Sequence, residues 1–382
     1  ERLQDFAGFW DSALKAAGRV KGYIVRDQPD PNRASRMVSI LLKQGVEVHQ
    51  LEESASVEAQ RFFTKRQLRE QFPKGTYFIS LQQPQSRLAK ALLEPETVAK
   101  DTFFYDVSAW SLPVAFGLTS YASFDPLPPR ATKLGAVPTI AGKLTGGKAA
   151  FAYIIPWDRH EAVKMVWSLL EEGYKLSYAS RTFQTVGRSF GPGTVIAFVS
   201  ANKDSIHEAI PRLCKGYGLD VYSTNSGLTD KGINLGSNYV RPFKKPEIGI
   251  LSDAPVSPND YGELWYLFDQ DYSIPFTALR SRDLAAAPLS RYDVLILPDG
   301  DFRAALDSTR IVRLKRWIEE GGILIGIEGG ARFMTKNRSG LTPALLETDK
   351  KEEEKTKEER DLEKEKKEIA KHQSLFEKEE SD

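Results

Sequence analysis

The stretch 246–333 constrains the fold most, because short apolar runs alternate there with helical patterns. These strand-length runs and helical patterns occupy, in order, residues 246–251, 261–268, 274–279, 292–297, 311–320 and 323–327. Continuous apolar runs of this length indicate strands that are buried on both faces of a parallel sheet. We therefore predict a three-layer α/β domain over residues 246–346.

The turn after the last of these strands reads Gly-Ile-Glu-Gly-Gly at 326–330. With the order of elements before it, this turn resembles the flavodoxin-like architecture of class I glutamine amidotransferases. The resemblance implies a nucleophile elbow here, where that family carries its catalytic cysteine. This chain has Glu328 or Gly329 at the elbow, and its one cysteine, Cys214, lies far upstream. Because such chemistry needs a thiolate, we expect the fold to be kept and the amidotransferase activity to be lost.

The composition narrows the class of partner. The chain has 382 residues, 41% of them hydrophobic, and a formal net charge of +1. This balance predicts neither a nucleic acid nor an anionic membrane as a partner. No apolar run approaches the ~20 residues of a membrane span, and the first residues do not resemble a signal peptide. We expect the sequence to begin within a longer protein.

The first 243 residues show one pattern twice. Each copy runs strand, helix, strand, connection, strand, helix, and the connection of the first copy at 65–72 has a helical composition. We predict two α/β units, at 1–130 with an aromatic bridge and at 131–243. The second unit is interpreted as a duplication of the first, offset by roughly 120 to 130 residues. Right-handed crossovers then predict mainly parallel pairing within each unit.

The final segment, 347–382, is rich in lysine and glutamate and has almost no apolar face. Such a composition is typical of a solvated helix or of a disordered tail. A partner-binding tail is the alternative interpretation.

Three residues are weak candidates for metal binding. His49 and Glu52 have the H-x-x-E spacing of zinc carboxypeptidases, and His160 lies at a distance where a third ligand is conceivable. However, His49 belongs to an alternating strand, and the surrounding residues do not resemble a ligand loop. We therefore predict no metal site in this chain.

Polar residues follow the strands of the 246–346 domain at the edge where α/β sheets bind ligands. Asp299 and Asp301 follow one strand, while Ser252 and Asp253 follow another. Together with the elbow residues Glu328 and Gly329, they predict a small acidic cleft. The alternative is that these residues only cap helices and close tight turns.

Four segments of the first unit carry a second resemblance. They are YIVRDQPDP at 23–31, LLKQGVEV at 41–48, QQPQSRLAKALLEP at 82–95 and YDVSAWSLP at 105–113. With the domain at 246–346, they resemble the C-terminal, non-catalytic region of bacterial zinc carboxypeptidases of the carboxypeptidase A type. The resemblance covers residues 20 to about 346.

In that family, zinc and the general-base glutamate belong to a peptidase domain that precedes this region. The resemblance therefore implies no catalytic residue and no cofactor here, with zinc in the parent protein. It also implies that the preceding peptidase domain is the partner, with peptide substrate as a further one, and that the protein is periplasmic or secreted. Two other functions stay open: a peptide- or glycan-binding module, and an independent enzyme that uses the acidic cleft.

Overall fold

A computed structural model describes residues 2–15, 18–26, 30–64, 66–96, 111–348, 356–357 and 362. The predicted mixed α/β fold is confirmed. The chain forms two compact units, Glu1–Lys244 and Lys245–Asp382, here called unit 1 and unit 2. Most of the charged tail and most of the aromatic segment around Trp110 lie outside the described residues. Among the described helices, none has the length and apolarity that crossing a membrane requires.

The first half of unit 1 is built on a seven-stranded sheet with helices on one face. Its elements are α1 (Arg2–Lys15), β1 (Gly22–Val25), α2 (Pro31–Lys43), β2 (His49–Leu51), β3 (Ala55–Arg61), β4 (Gln67–Phe72), β5 (Tyr77–Ser80), α3 (Ser86–Leu93), α4 (Leu112–Ala115), β6 (Ser120–Ser123) and β7 (Ala131–Lys133).

The second half is built on a six-stranded sheet with a small three-stranded sheet beside it. Its elements are β8 (Leu144–Thr145), β9 (Ala152–Ile155), α5 (Glu161–Glu171), β10 (Leu176–Ala179), β11 (Phe183–Thr185), β12 (Arg188–Phe190), β13 (Val195–Phe198), α6 (Ile206–Tyr217), β14 (Val221–Thr224), β15 (Lys231–Gly232) and β16 (Val240–Phe243).

The prediction of mainly parallel pairing in these two halves is wrong. The central strands run in the order β6-β1-β5-β2 in one sheet and β14-β9-β13-β10 in the other. All of these neighbours are antiparallel. In each half a third strand is inserted between the two strands that a helix connects, so the crossover links strands that do not touch. This is the split βαβ arrangement.

The apolar strands of these halves are compatible with either pairing, because both faces of each antiparallel sheet are buried. In the second half, Tyr153 and Ile155 pack against α5 and α6. On the opposite face, Ile154 packs with Phe183 and Phe190 of the β11–β12 hairpin. A strand that is buried on both faces has a continuous apolar sequence, whether its neighbouring strands are parallel or antiparallel.

The helical connection predicted at 65–72 is also wrong, because residues 67–72 form strand β4. This strand pairs with β3 from Gln60↔Gln67 to Ala55↔Phe72. Its glutamine, arginine and glutamate residues favour a helix locally. The pairing with β3 and the full burial of Phe72 override that preference.

One buried carboxylate joins the two halves of unit 1. Asp30 precedes α2, and its Oδ1 accepts a hydrogen bond from Arg33 N at 3.2 Å. Its Oδ2 accepts one from His160 N at 3.2 Å, at the start of α5. Asn32 adds a hydrogen bond from Nδ2 to Tyr217 O at 2.7 Å. Asp30 therefore caps two helices that belong to different sheets.

Glu161, in the first turn of α5, lies in the same junction and is only 6% exposed. Its Oε2 is buried and accepts no hydrogen bond within the described residues. Burial raises the pKa of the Glu161 carboxyl, and the charge of Asp30 raises that pKa further. We call Asp30 and Glu161 the junction pair.

Unit 2 contains a four-stranded, wholly parallel sheet in the order β18-β17-β19-β20. The core on its α8 side contains Leu295, Leu314 and Trp317. The elements are β17 (Ile248–Leu251), α7 (Pro258–Trp265) with a π-helical turn (Tyr266–Tyr272), β18 (Thr277–Leu279), β19 (Val294–Leu297), α8 (Ser308–Glu319), β20 (Ile323–Gly326) and α9 (Gly329–Met334).

Candidate functional site

A strained turn joins β20 to α9 in unit 2. Glu328 lies in this turn with φ 47° and ψ −109°, a backbone conformation that residues other than glycine rarely adopt. The glycines around it are required by packing. A Cβ on Gly329 would lie 2.5 Å from Asp299 Oδ1, and one on Gly330 would lie 2.2 Å from Leu297 O. The tight packing of these glycines therefore surrounds the strained backbone at Glu328.

Asp299 connects this turn to the neighbouring strand. It follows β19, and its Oδ1 accepts a hydrogen bond from Gly329 N at 2.8 Å. Its backbone carbonyl accepts a hydrogen bond from Ser257 N at 2.9 Å, in the segment after β17. The segments after three parallel strands thus meet at one edge of the sheet, which is where such sheets bind ligands.

Three carboxylates converge at this edge. Asp260, Asp299 and Glu328 each place one oxygen within 4.8 Å of the other two. Asp260 and Asp299 are half-buried and Glu328 is exposed. We call these residues the elbow triad. Carboxylate oxygens at this spacing could hold a hard cation or an ammonium group, and without one they repel each other.

Asp260 was not among the residues selected from the sequence. Ser257 and Asp260 have the spacing of a capping box at the start of α7, and the Ser257 hydroxyl hydrogen-bonds the Asp260 carboxylate. This local signal predicts a helix start beside the sheet edge. It could have placed Asp260 next to the other candidates.

A cleft of about 250 Å³ opens beside the triad. It is lined by Asp299, Gly300, Asp301, Phe302, Arg303, Gly329, Arg332, Phe333 and Arg338. The lining therefore carries three arginines and two aspartates, so positive side chains stand beside the predicted acids in this cleft. Arginines from α9 and from the segments after β19 and α9 supply the positive wall.

Asp301 is engaged by one of these arginines. Its two carboxylate oxygens accept hydrogen bonds from Arg303 Nε at 2.8 Å and Arg303 Nη2 at 2.5 Å. This two-pronged pair lowers the pKa of the Asp301 carboxyl to about 2. Asp301 is thus a charged but already paired part of the cleft wall.

Ser252 and Asp253 serve the sheet rather than the cleft. The Ser252 hydroxyl donates to Leu279 O at 3.2 Å, and Asp253 Oδ1 accepts from Ser281 N at 2.7 Å. Both contacts tie the end of β17 to the segment around β18. For these two residues the alternative interpretation, a structural turn, describes their contacts.

The weak metal candidates take up separate structural positions. His49 lies in β2, opposite Phe78 and Lys133, and burial lowers the pKa of its imidazole. Glu52 accepts a hydrogen bond from the Thr132 hydroxyl. His160 begins α5 at the junction with Asp30. Within the described residues, the ligand atoms of these three side chains do not form a cluster.

The cysteine is not an alternative nucleophile. Cys214 lies on the buried face of α6 and packs in the core. Burial raises the pKa of its thiol to about 12, so the thiolate is scarce at neutral pH.

In comparisons with known proteins, no protein-family profile, no curated protein and no solved structure matches this chain.

Proposed function

We propose that the chain is the non-catalytic accessory region of a bacterial zinc carboxypeptidase-like protein. This proposal depends on the segments at 23–31, 41–48, 82–95 and 105–113. Zinc then belongs to the preceding peptidase domain, which is the partner of this chain and removes C-terminal residues from peptides. The chain holds or regulates that domain or engages its peptide substrate, and the parent protein is periplasmic or secreted.

We further propose that unit 2 is an amidotransferase-like domain. Numbered within the unit, its strand order is 2-1-3-4, which is how the flavodoxin-like order 2-1-3-4-5 begins. In unit 1, the identical order of the four central strands in the two halves supports an internal duplication.

The observation that carries a non-catalytic role is the residue at the elbow. Glu328 occupies the strand–turn–helix position with the strained backbone that nucleophile elbows use. A carboxylate there replaces the thiolate that class I glutamine amidotransferases need for amide hydrolysis. Asp260 and Asp299, whose carboxylate oxygens lie within 4.8 Å of that of Glu328, are acids and cannot serve as the histidine base of such a site.

Hydrolysis assays test the proposal directly. We expect the purified chain, with or without added zinc, to release no C-terminal amino acid from peptides and no ammonia from glutamine. Zinc-dependent release that a chelator abolishes would overturn the accessory role. The reading frame upstream of Glu1 is expected to encode a signal peptide and a zinc-ligand loop, and their absence would overturn the family assignment.

Restoring a thiol tests the elbow. Glu328→Cys places a thiol on the strained turn, where the start of α9 favours a thiolate and the carboxylates of Asp260 and Asp299 oppose it. We expect iodoacetamide to label this thiol faster than that of an Asn337→Cys control, which is exposed after α9, because the elbow presents its side chain at the exposed edge of the sheet. Equal labelling rates would contradict an elbow-like environment. Buried Cys214 supplies the background in both variants.

A second candidate function is an independent enzyme that uses carboxylates instead of a thiol. The elbow triad favours it, because aligned acids can act as base and nucleophile. A turnover activity that Glu328→Gln abolishes would support this candidate over the accessory role.

A further inference from the structure

The junction of unit 1 buries two acids with unequal sets of partners. Asp30, 3% exposed, accepts hydrogen bonds from the backbone of both helices that meet there. Glu161, 6% exposed, has an oxygen that receives no hydrogen bond within the described residues. The amide oxygen of Asn32 in the same junction is likewise buried without a donor. Two buried acceptor oxygens of the junction therefore have no hydrogen-bond donor among the described residues.

Burial raises the pKa of Glu161, and neither the hydrogen bond from its own backbone N–H nor the charges around it offset this effect. Asp30 acts on it from the segment before α2 with the same sign, while His160 and Lys164 act from α5 with the opposite sign. Arg33, in α2, has its Nε 3.7 Å from Asp30 Oδ2. Arg159 is paired with Asp220 at 3.1 Å. An ionised Glu161 would place two negative charges in one buried site.

We infer that the two halves of unit 1 are held together by a proton-dependent junction, in which the buried Glu161 carboxyl carries a proton beside Asp30, the shared acceptor of the two helix starts. A proton on Glu161 removes the repulsion and adds a hydrogen-bond donor where buried acceptor oxygens have none among the described residues. Loss of that proton weakens the contact between the start of α2 and the start of α5.

The direction of the pH effect follows from proton linkage. The closed junction raises the pKa of Glu161 above its ordinary value of 4.5, which the carboxyl regains when the junction opens. Below pH 4.5 both forms carry the proton, and the junction has its full strength. As the pH rises above that value the open form releases its proton first, so opening becomes more favourable by at most tenfold per pH unit. The effect levels off above the closed-state pKa.

Hydrogen exchange at two amides tests this inference. The amides of Arg33 and His160 both donate to Asp30, so their protection reports the closed junction. In the wild type we expect their protection factors, corrected for the intrinsic rate at each pH, to fall between pH 4.5 and 7. In Glu161→Gln, which is neutral at every pH, the same factors should stay constant within twofold.

Glu208→Gln is the matched control. Glu208 also lies in the first turn of a helix, α6, but is exposed. This variant should keep the wild-type pH profile. A wild-type profile without pH dependence at Arg33 and His160, or one that persists in Glu161→Gln, would overturn the inference. The wild-type measurement decides the matter alone if the variant does not fold.

Discussion

Carboxylates meet at two places in this protein, and the two places differ in burial. The junction pair of unit 1 is almost fully buried, and its Asp30 caps two helices. The elbow triad of unit 2 is half-buried to exposed and borders an open cleft. Burial turns acids into structural parts that require hydrogen-bond donors or protons. Exposure leaves acids available to a ligand.

The largest expected effect comes from removing the shared cap. Asp30→Ala leaves two helix-terminal N–H groups without an acceptor, one on Arg33 and one on His160. Losing a cap and a second buried hydrogen bond should cost ~3 kcal/mol of unfolding free energy. The measurement is hydrogen exchange in α2 and α5 at increasing urea concentration.

Asp307→Ala is the control for that variant. Asp307 caps α8 through a single N–H, that of Arg310, at 2.9 Å, and is exposed. Its loss should cost about 1 kcal/mol in unit 2. Equal costs for the two variants would mean that Asp30 does not bridge the halves.

The next largest loss of stability is expected at Asp299, whose side chain supports the turn at Glu328. Asp299→Ala leaves the part-buried N–H of Gly329 without its acceptor and should destabilise unit 2 by about 1.5 kcal/mol. Asp299→Asn keeps an oxygen for this bond and removes one charge of the triad. We expect its cost in urea unfolding to stay below about 0.5 kcal/mol. If both variants lose the same stability, the charge rather than the hydrogen bond holds the turn.

A smaller effect isolates backbone strain at the elbow. Glu328→Gly and Glu328→Ala both remove the carboxylate, and only glycine tolerates φ 47° without a steric cost. We expect the glycine variant to be more stable than the alanine variant by about 1 kcal/mol in urea unfolding. An alanine variant of equal or greater stability would indicate that the turn relaxes.

The smallest effect is a pH dependence at the exposed cleft wall. The pair with Arg303 lowers the pKa of Asp301 from 3.8 to about 2. The folded state therefore favours the ionised form, and this contribution is present above pH 3.8 and is lost as the pH falls through 2. Asp301→Asn should be slightly less stable than the wild type at pH 5 and equal to it below pH 2. A constant difference across this range would exclude the ion pair as its cause.

The sequence predicts which segments are strands better than how they pair. The runs that became β1, β9, β17, β19 and β20 are strands in the structure, because burial leaves a local composition signal. Pairing depends on residues far along the chain. Nothing within β9 indicates that β13 and β14 lie beside it rather than β10.

For the candidate site, the sequence predicts the local turn, but it does not predict which side chains from different segments converge. The glycines at 326, 329 and 330 pointed to a tight turn at Glu328, and the strand ends pointed to Asp299. The sequence does not show that Arg303 forms an ion pair with Asp301, or that Arg332 and Arg338 line the same cleft. Surface charges carry no periodicity that would show which of them converge.

In each half of unit 1, the first and last of the four central strands are antiparallel neighbours, so the two ends of this four-stranded segment lie close together. Gly22 at the start of β1 lies opposite Ser123 at the end of β6, and Ala152 lies opposite Thr224 in the same way. The chain thus enters and leaves the four-stranded centre of each half at neighbouring points, while β7, β8 and β16 join the sheet edges from outside that segment. A segment with adjoining ends can be copied in tandem or inserted elsewhere with its central ladders intact, and only these edge strands have to be supplied again.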